Sequence, residues 1–205
     1  MASGGTDSTV RIWDIRRSAA CLMALDQHNT ETDPLSPTNQ AHSGAVTGLC
    51  FHPTGHYLLS TAHDERLRLW DTWTGRNALV NYDPYICNQF DQPLAPLVVA
   101  AGGAGAGAAG CDPPLVFHPS DDRQILVFDM LKGKLVKRLR GSFGRVTCVC
   151  WRTDREELYS ATNEREIIVW SPVFKDADVD QTPLVCREYT HMHSIHSWFS
   201  RREIF

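Results

Sequence analysis

The sequence predicts an all-β protein built from repeated antiparallel sheets, and three observations support that fold class. First, Asp7 lies six residues before Trp13, and the same spacing separates Asp64 from Trp70. Second, each of these tryptophans is followed directly by an aspartate. Third, short runs rich in leucine, β-branched and aromatic residues alternate with turn-forming Pro, Gly and Asp, which is typical of strands joined by tight turns. A motif that recurs with fixed internal spacing indicates a repeated structural unit.

The first two units differ in completeness. The first is a remnant over residues 1–25 that ends in STVRIWDIRR, and a loop over 26–41 follows it. The second unit, over 42–83, is the most complete. Its runs AVTGLCF, HYLLST and RLRLWD predict three strands, and NALVNY predicts a fourth. One full unit is therefore expected to be a four-stranded antiparallel sheet.

The third and fourth units are more divergent, with Phe128 replacing tryptophan in the third and Trp170 retained in the fourth. The expected bounds are 84–114 for an insertion with a Gly/Ala-rich segment, 94–140 for the third unit, 141–172 for the fourth, near 183–188 for its closing strand, and 173–205 for an irregular tail. The Gly/Ala-rich run is interpreted as flexible chain and not as a membrane span, because alanine and glycine offer little apolar area.

Three cysteines occupy matching places in the first strands of two units. Cys148 and Cys150 are two residues apart in VTCVCW, and Cys50 takes the matching place in VTGLCF. Residues two apart on a strand share a face, and a free cysteine behaves as a small apolar residue. We expect all three thiols to pack in the core.

The composition suits one globular core. The chain has 205 residues, of which 42% are hydrophobic and 21% are charged. A net charge of −4 gives no general attraction to nucleic acid or to anionic membranes. The amino-terminal stretch has neither the basic start nor the apolar run of a signal peptide, so we expect an intracellular protein. The seven cysteines include no C-x-x-C pair, which predicts free thiols.

Each unit carries apolar residues on both faces, such as Leu67 and Leu69 on one and Trp70 on the other, so each sheet needs a neighbour on either side. Radial stacking meets that need. With its Trp-Asp pairs at 13–14 and 70–71, the sequence resembles the WD40-repeat family from about residue 3 to residue 172. The resemblance implies a partial WD40 β-propeller of about three and a half blades, each a four-stranded antiparallel sheet.

The WD40 resemblance also implies a structural tetrad in the second unit, made of His42, Ser60, Asp64 and Trp70. Asp64 would accept a hydrogen bond from His42, His42 would contact Ser60, and Ser60 would reach the indole N–H of Trp70. Such a network satisfies buried polar groups while it ties three strands together. The matching residues elsewhere are Ser3, Asp7 and Trp13 in the first unit, and Ser142, Ser160, Glu164 and Trp170 in the fourth.

The sequence disfavours a catalytic triad, a metal site and a calcium loop. Ser60, His42 and Asp64 are the residue types of a nucleophilic triad, but their spacing follows the repeat and the serine would be buried in a sheet. The run HMHSIH has no cysteine or carboxylate nearby to complete a metal site. The run DADVD lacks the turn glycine and the final glutamate of a calcium loop. The sequence therefore predicts no catalytic residue, no metal and no cofactor.

The run WDIRR is the most informative surface motif. In WD40 proteins that act as substrate receptors of cullin-4 ubiquitin ligases, Trp-Asp-x-Arg marks the repeat facing the damaged-DNA-binding adaptor protein 1, and here Trp13, Asp14 and Arg16 match it. An arginine just after the third strand would lie on the rim of the propeller, where its planar fork can pair with carboxylates. The second unit departs from the motif with Trp73.

Longer stretches are similar to the C-terminal half of the Cockayne syndrome group A family of DNA excision repair proteins: WDIRRSAACLMALDQHN, LRLWDTWTGRNALVNY and EELYSATNEREIIVW. This resemblance implies a non-catalytic substrate receptor of a cullin-4 RING E3 ubiquitin ligase in transcription-coupled nucleotide excision repair. It also implies a nuclear location, with stalled RNA polymerase II and its repair factors as further partners. The tail after residue 186 departs from the acidic end of that family.

Two other functions remain open at this point. One is a general WD40 protein-interaction scaffold with no link to ubiquitin. The other is a nucleic-acid-binding module that uses the basic stretch KGKLVKRLRGSFGR, whose phosphate contacts would weaken with salt. The cations of that stretch are Lys132, Lys134, Lys137, Arg138, Arg140 and Arg145. A solvated outer strand would account for the same residues without any nucleic acid.

Overall fold

The computed structural model describes residues 1–16, 21–30, 33–82, 86–90, 92–99, 114–171 and 200–203. These residues form fourteen strands in four antiparallel sheets, and none of them is helical. The predicted all-β fold is confirmed, and the sheets form the open arc of a partial propeller. Within this part of the chain, no helix is long and apolar enough to cross a membrane.

Each sheet is an antiparallel meander. Sheet 1 contains β1 (Ala2–Gly4), β2 (Val10–Trp13) and β3 (Cys21–Ala24). Sheet 2 contains β4 (Val46–Phe51), β5 (Tyr57–Ala62) and β6 (Leu67–Asp71). Sheet 3 contains β7 (Leu97–Val99), β8 (Leu115–Ser120), β9 (Gln124–Asp129) and β10 (Leu135–Arg140). Sheet 4 contains β11 (Val146–Arg152), β12 (Glu157–Thr162), β13 (Ile167–Ser171) and β14 (Ser200–Glu203).

Consecutive sheets pack face to face through three apolar clusters. On β5 the alternation of side chains sends Leu58 toward sheet 1, where it meets Val10 and Ile12. The next residue, Leu59, points the other way and meets Phe128 of sheet 3. Between sheets 3 and 4 the cluster is Phe117, Ile125, Val127, Leu139, Val146, Leu158, Ile168 and Trp170. Every interior sheet is thus buried on both faces, which is why its strands are apolar at consecutive positions.

The recurring acidic residue fixes the turn between the second and third strands of a unit. The residue that follows it adopts a left-handed backbone in all four sheets, with φ of 65° at Ser8, 57° at Glu65, 64° at Arg123 and 64° at Arg165. Asp7 accepts a hydrogen bond from the N–H of Thr9 at 3.2 Å, and Asp64 does the same for Arg66 at 3.1 Å. The carboxylate therefore stabilises a tight turn, as Asp does in an Asx turn.

The predicted fourth strand of the second unit is wrong. The run NALVNY forms a single bridge between Asn77 and Trp70, with one further bond from Ala78 N–H to the Leu69 carbonyl. Leu79 then takes φ of 55°, which turns the chain out of the sheet. Tyr82 is consequently buried against sheet 3, where its hydroxyl donates to the Met130 carbonyl. Among the described residues, sheet 2 has three strands.

The expected core packing of Cys148 and Cys150 is also wrong, since both thiols are exposed. On β11, Val149 and Trp151 point toward the cluster shared with sheet 3, so the cysteines between them point to the opposite face. No sheet among the described residues covers that face of sheet 4. Cys50 differs because it is half-buried against the cluster between sheets 2 and 3.

Two expected segments are only partly described. The Gly/Ala-rich run lies almost wholly in 100–113, outside the described residues, while Ile86 and Leu94 before it are buried in the core. The closing strand expected near 183–188 also lies outside the described residues. The strand that does pair with β13 is β14, further along in what was expected to be an irregular tail.

Candidate protein-interaction surface

A buried hydrogen-bond network joins β5 and β6 of sheet 2 to the segment that precedes β4. The Nδ1 atom of His42 lies 3.0 Å from Oδ2 of Asp64, so it donates to that carboxylate. Its Nε2 atom then accepts from the Ser60 hydroxyl at 2.7 Å, and the Ser60 oxygen accepts from the indole N–H of Trp70 at 2.8 Å. Each polar group in the chain of contacts therefore has a partner, and the strands are held in register.

The charges at the outer end of this network are set by burial and by pairing. Burial lowers the pKa of His42 below its usual value, and the hydrogen bond to Asp64 only partly opposes this. Burial would raise the pKa of Asp64, but the bonds from His42 and from the N–H of Ser43 outweigh it and hold that pKa low. Arg68 adds an ion pair to Asp64 at 3.3 Å. At neutral pH the network is therefore a neutral imidazole beside a carboxylate.

This geometry favours a structural role for Ser60. The serine is fully buried, and its hydroxyl both donates to His42 and accepts from Trp70. A nucleophilic serine needs an open path to a substrate carbonyl, and Ser60 has its oxygen enclosed between two strands instead.

Sheets 1 and 4 keep parts of the network. The indole N–H of Trp13 donates to Ser3 at 2.7 Å, and that of Trp170 donates to Ser160 at 2.9 Å. In sheet 4 the buried hydroxyl of Ser142 has no hydrogen-bond partner among the described residues.

Sheet 3 has lost the network. His118 stands at the place of Ser60, since it pairs with Leu126 as Ser60 pairs with Arg68, and Phe128 stands at the place of Trp70. His118 is completely buried, and neither ring nitrogen has a hydrogen-bond partner of good geometry in the described part of the chain. Burial lowers its pKa to about 4, despite the nearby charge of Asp121.

The aspartate at the carboxyl end of β2, β6 or β9 caps the turn that follows the strand. Its Oδ1 atom accepts a hydrogen bond from the N–H two residues later in three successive sheets. The bonds are Arg16 N–H to Asp14 at 3.0 Å, Trp73 N–H to Asp71 at 2.9 Å, and Leu131 N–H to Asp129 at 3.0 Å. The aspartate of the pairs Trp13–Asp14, Trp70–Asp71 and Phe128–Asp129 is thus a turn cap that presents the residue two positions on.

Arg16 is presented on such a turn, at the edge of sheet 1. Its side chain is 87% exposed and forms a two-point ion pair with Asp14, at 3.1 Å from Nε and 3.3 Å from Nη2. The bond to Arg16 lowers the pKa of Asp14, so the carboxylate stays charged. The guanidinium is held with free N–H groups toward solvent, which suits a carboxylate or carbonyl of a partner.

The basic stretch does not form one patch. On β10, Lys137 pairs with Val127 and shares the face of Leu139 toward sheet 4, whereas Arg138 and Arg140 lie on the opposite face. Lys132 and Lys134 are exposed at the turn before the strand. Including Arg145 in the patch is wrong, because its side chain is ion-paired to the buried Asp121 at 3.3 Å and stacks on Phe90.

The sequence analysis assigned no functional role to three exposed aromatic residues. Trp73 is 89% exposed, and Phe90 and Phe143 flank a polar cleft of about 520 Å³ between sheets 3 and 4. The only signal for Trp73 was its place in the turn that matches Arg16.

No group of three or more His, Cys, Asp or Glu side chains in the described ranges could hold a metal ion. The HMHSIH and DADVD runs lie outside the described residues.

Comparison with known proteins matches parts of the chain to one family of repeats. The model of the WD40 family, described as WD domain, G-beta repeat, matches residues 1–14, 35–71 and 133–171. Sheet 3 as far as residue 132 falls outside these segments, in line with its lost network.

Several curated proteins are similar over part of their length. WD repeat-containing protein ATCSA-1 of Arabidopsis thaliana is 37% identical over 132 residues, which are 64% of this chain and 26% of that protein. Nuclear distribution protein PAC1 of Ajellomyces capsulatus (strain H143) is 39% identical over 71 residues, or 35% of this chain and 12% of that protein. Pre-mRNA-processing factor 17 of Homo sapiens is 24% identical over 174 residues, or 83% of this chain and 24% of that protein. The aligned region spans no more than 26% of any of these three relatives.

Proposed function

The chain contains WD40 repeats, and we propose that it uses them as a non-catalytic substrate receptor of a cullin-4 RING E3 ubiquitin ligase. The observation that carries this proposal is Arg16, an exposed guanidinium held by a capped turn at the edge of sheet 1. In this reading the sheets supply a rigid frame, the turns recognise partners, and a separate ligase subunit carries the ubiquitin chemistry.

The proposed direct partner is damaged-DNA-binding adaptor protein 1. The sequence resemblance of Trp13, Asp14 and Arg16 to the adaptor-facing motif supports it, as does the exposure of the arginine fork. The similarity to the Cockayne syndrome group A family supports a role in transcription-coupled nucleotide excision repair in the nucleus, with stalled RNA polymerase II and its repair factors as more distant partners.

Capture of the adaptor tests the proposal. The tagged chain is immobilised, the purified adaptor is added, and wild type is compared with Arg16→Ala. Removing an arginine that anchors an interface costs about 1.4 kcal/mol or more, so capture should fall about tenfold.

Arg152→Ala is the matched control. Arg152 is also a surface arginine paired with an aspartate two residues away, Asp154, but it lies on sheet 4. Its replacement should leave capture unchanged. Equal capture by Arg16→Ala and wild type would remove Arg16 from the interface. Failure of the wild-type chain to retain the adaptor at all would leave only the general scaffold.

A further inference from the structure

The turns that follow β2, β6 and β9 place three different side chains at one equivalent position. Arg16, Trp73 and Leu131 each lie two residues after a capping aspartate, and each donates its backbone N–H to that aspartate. The same capping hydrogen bond thus recurs in three sheets, while the side chain two residues after the aspartate changes from cationic to aromatic to aliphatic.

These side chains are strongly exposed. Trp73 is 89% exposed and Leu131 49%, while Ile15 beside Arg16 is 77% exposed. Tryptophan is usually well buried, and tryptophan and arginine are the side chains most often found as anchors at protein interfaces. A tryptophan held out by a rigid turn loses little conformational freedom on binding.

The three turns are neighbours on one edge of the arc. The turn of sheet 2 packs against β3 of sheet 1, because a side chain at Gly75 would meet the Sδ atom of Met23 at 2.6 Å. The turn of sheet 3 packs against the segment that follows sheet 2, because a side chain at Gly133 would collide with the Asn81 carbonyl. The tips therefore form a row in the order Arg16, Trp73, Leu131, which we call the turn-tip row.

The exposed charge along the turn-tip row is positive. Arg16 stands at one end and Lys132, with its side chain 75% exposed, stands beside Leu131 at the other. Each cation is ion-paired to the aspartate of its own turn, Arg16 to Asp14 at 3.1 Å and Lys132 to Asp129 at 3.8 Å. These carboxylates are only 15% and 8% exposed, so the cations are the charges that face solvent. A partner that fits this row carries an apolar side chain for Trp73 between two carboxylates.

We propose that the turn-tip row is one docking surface, with Trp73 as its central anchor, for an acidic segment of the adaptor protein whose apolar residue packs on the indole. This rests on the proposed function, since Arg16 forms one end of the row. It assigns to the interface a residue that the Trp-Asp-x-Arg motif does not contain.

The experiment compares adaptor capture by wild type, Trp73→Ala and Phe143→Ala. Phe143 is the matched control, because it is an aromatic residue of similar exposure, 73%, in a loop at the opposite edge of the arc. Trp73→Ala should lower capture at least tenfold, and Phe143→Ala should leave it unchanged. Both side chains are on the surface, so neither change should alter folding.

A second pair of variants tests the charge of the partner. Lys132→Glu should lower capture several-fold by placing a carboxylate against the acidic segment, and Arg165→Glu, in the turn after β12, should not. Capture by wild type that is insensitive to Trp73→Ala overturns the turn-tip row and leaves the proposed function intact. Absence of capture by wild type overturns both.

Discussion

The three strands of sheet 2 follow the same order as the first three strands of sheet 3, but the two sheets stabilise their interiors in different ways. In sheet 2, His42, Ser60 and Trp70 connect β5 and β6 to the segment before β4, and each polar group of that network has a partner. Sheet 3 has His118 at the place of Ser60 and Phe128 at the place of Trp70. In the described chain, the imidazole of His118 has no hydrogen-bond partner of good geometry. Phe128 instead packs edge to face on Tyr82 at 5.6 Å.

The comparison indicates that the serine and the tryptophan depend on each other, since sheets 1 and 4 keep both residues and sheet 3 keeps neither. Once the indole N–H is absent, a polar residue at the serine place has no donor to accept from, and apolar packing must hold the sheet instead. Three kinds of change test this contrast: substitutions that damage the network of sheet 2, protonation of the unpaired His118 in sheet 3, and replacement of His118 by an apolar residue.

The largest effect is expected from His42→Ala. This change opens a cavity and leaves both Ser60 and Asp64 without their main partner, so unfolding should become easier by roughly 3 kcal/mol. Urea denaturation followed by tryptophan fluorescence measures it, with the exposed His28→Ala as the control. A loss below about 1 kcal/mol would show that the network contributes little.

Acid should destabilise the fold through His118. Its pKa is about 4 in the folded chain and close to 6.5 when unfolded, so the unfolded state binds the proton first. The stability is complete above pH 6.5 and falls as the pH drops toward 4, by at most roughly 3 kcal/mol. The lowered pKa of His42 acts in the same direction.

Denaturation midpoints between pH 7 and pH 4 measure this loss. In His118→Leu the slope should be clearly shallower than in wild type. An unchanged slope would assign the acid sensitivity to other groups.

Trp70→Phe gives sheet 2 the residue that sheet 3 has at the equivalent position, Phe128. It removes the donor to Ser60 and part of the buried indole, so the expected loss is about 2 kcal/mol. The same substitution at Trp170, whose indole also donates to a serine, should give a similar loss. If Trp70→Phe were neutral, the missing indole would not explain why sheet 3 relies on apolar packing.

His118→Leu should stabilise the chain at pH 7 by about 1 kcal/mol, since it replaces two unpaired buried nitrogens with an apolar group of similar size. Chemical denaturation at pH 7 measures the gain. A clear destabilisation would mean that the imidazole has partners outside the described residues.

The smallest effect on stability belongs to Arg16→Ala, which should change the free energy of unfolding by less than about 0.5 kcal/mol, because exposed ion pairs contribute little. Thermal unfolding of this variant beside wild type checks that loss of adaptor capture reflects the interface and not folding. A drop comparable to that of His42→Ala would contradict the placement of Arg16 on the surface.

The sequence predicted the sheets well because their apolar runs and turns repeat. The contacts of His42, Ser60, Asp64 and Trp70 were expected from the resemblance to WD40 repeats. The bend at Leu79 was not, since a leucine in the left-handed region carries no sequence signal.

The sequence also did not predict contacts between residues that are far apart in the chain. Whether Cys148 is buried depends on which face of sheet 4 has a neighbour, and a single strand does not reveal that. Arg145 looked like part of a basic stretch, although its partner Asp121 lies 24 residues earlier in the chain.

The capping aspartates hold each turn through backbone N–H groups and leave the identity of the residue at the tip unconstrained. The residues that hold the turn are therefore different from the residue that contacts a partner. A single substitution at position 16, 73 or 131 can change which partner one blade prefers while folding is little affected. Such a scaffold can acquire new binding partners one turn at a time.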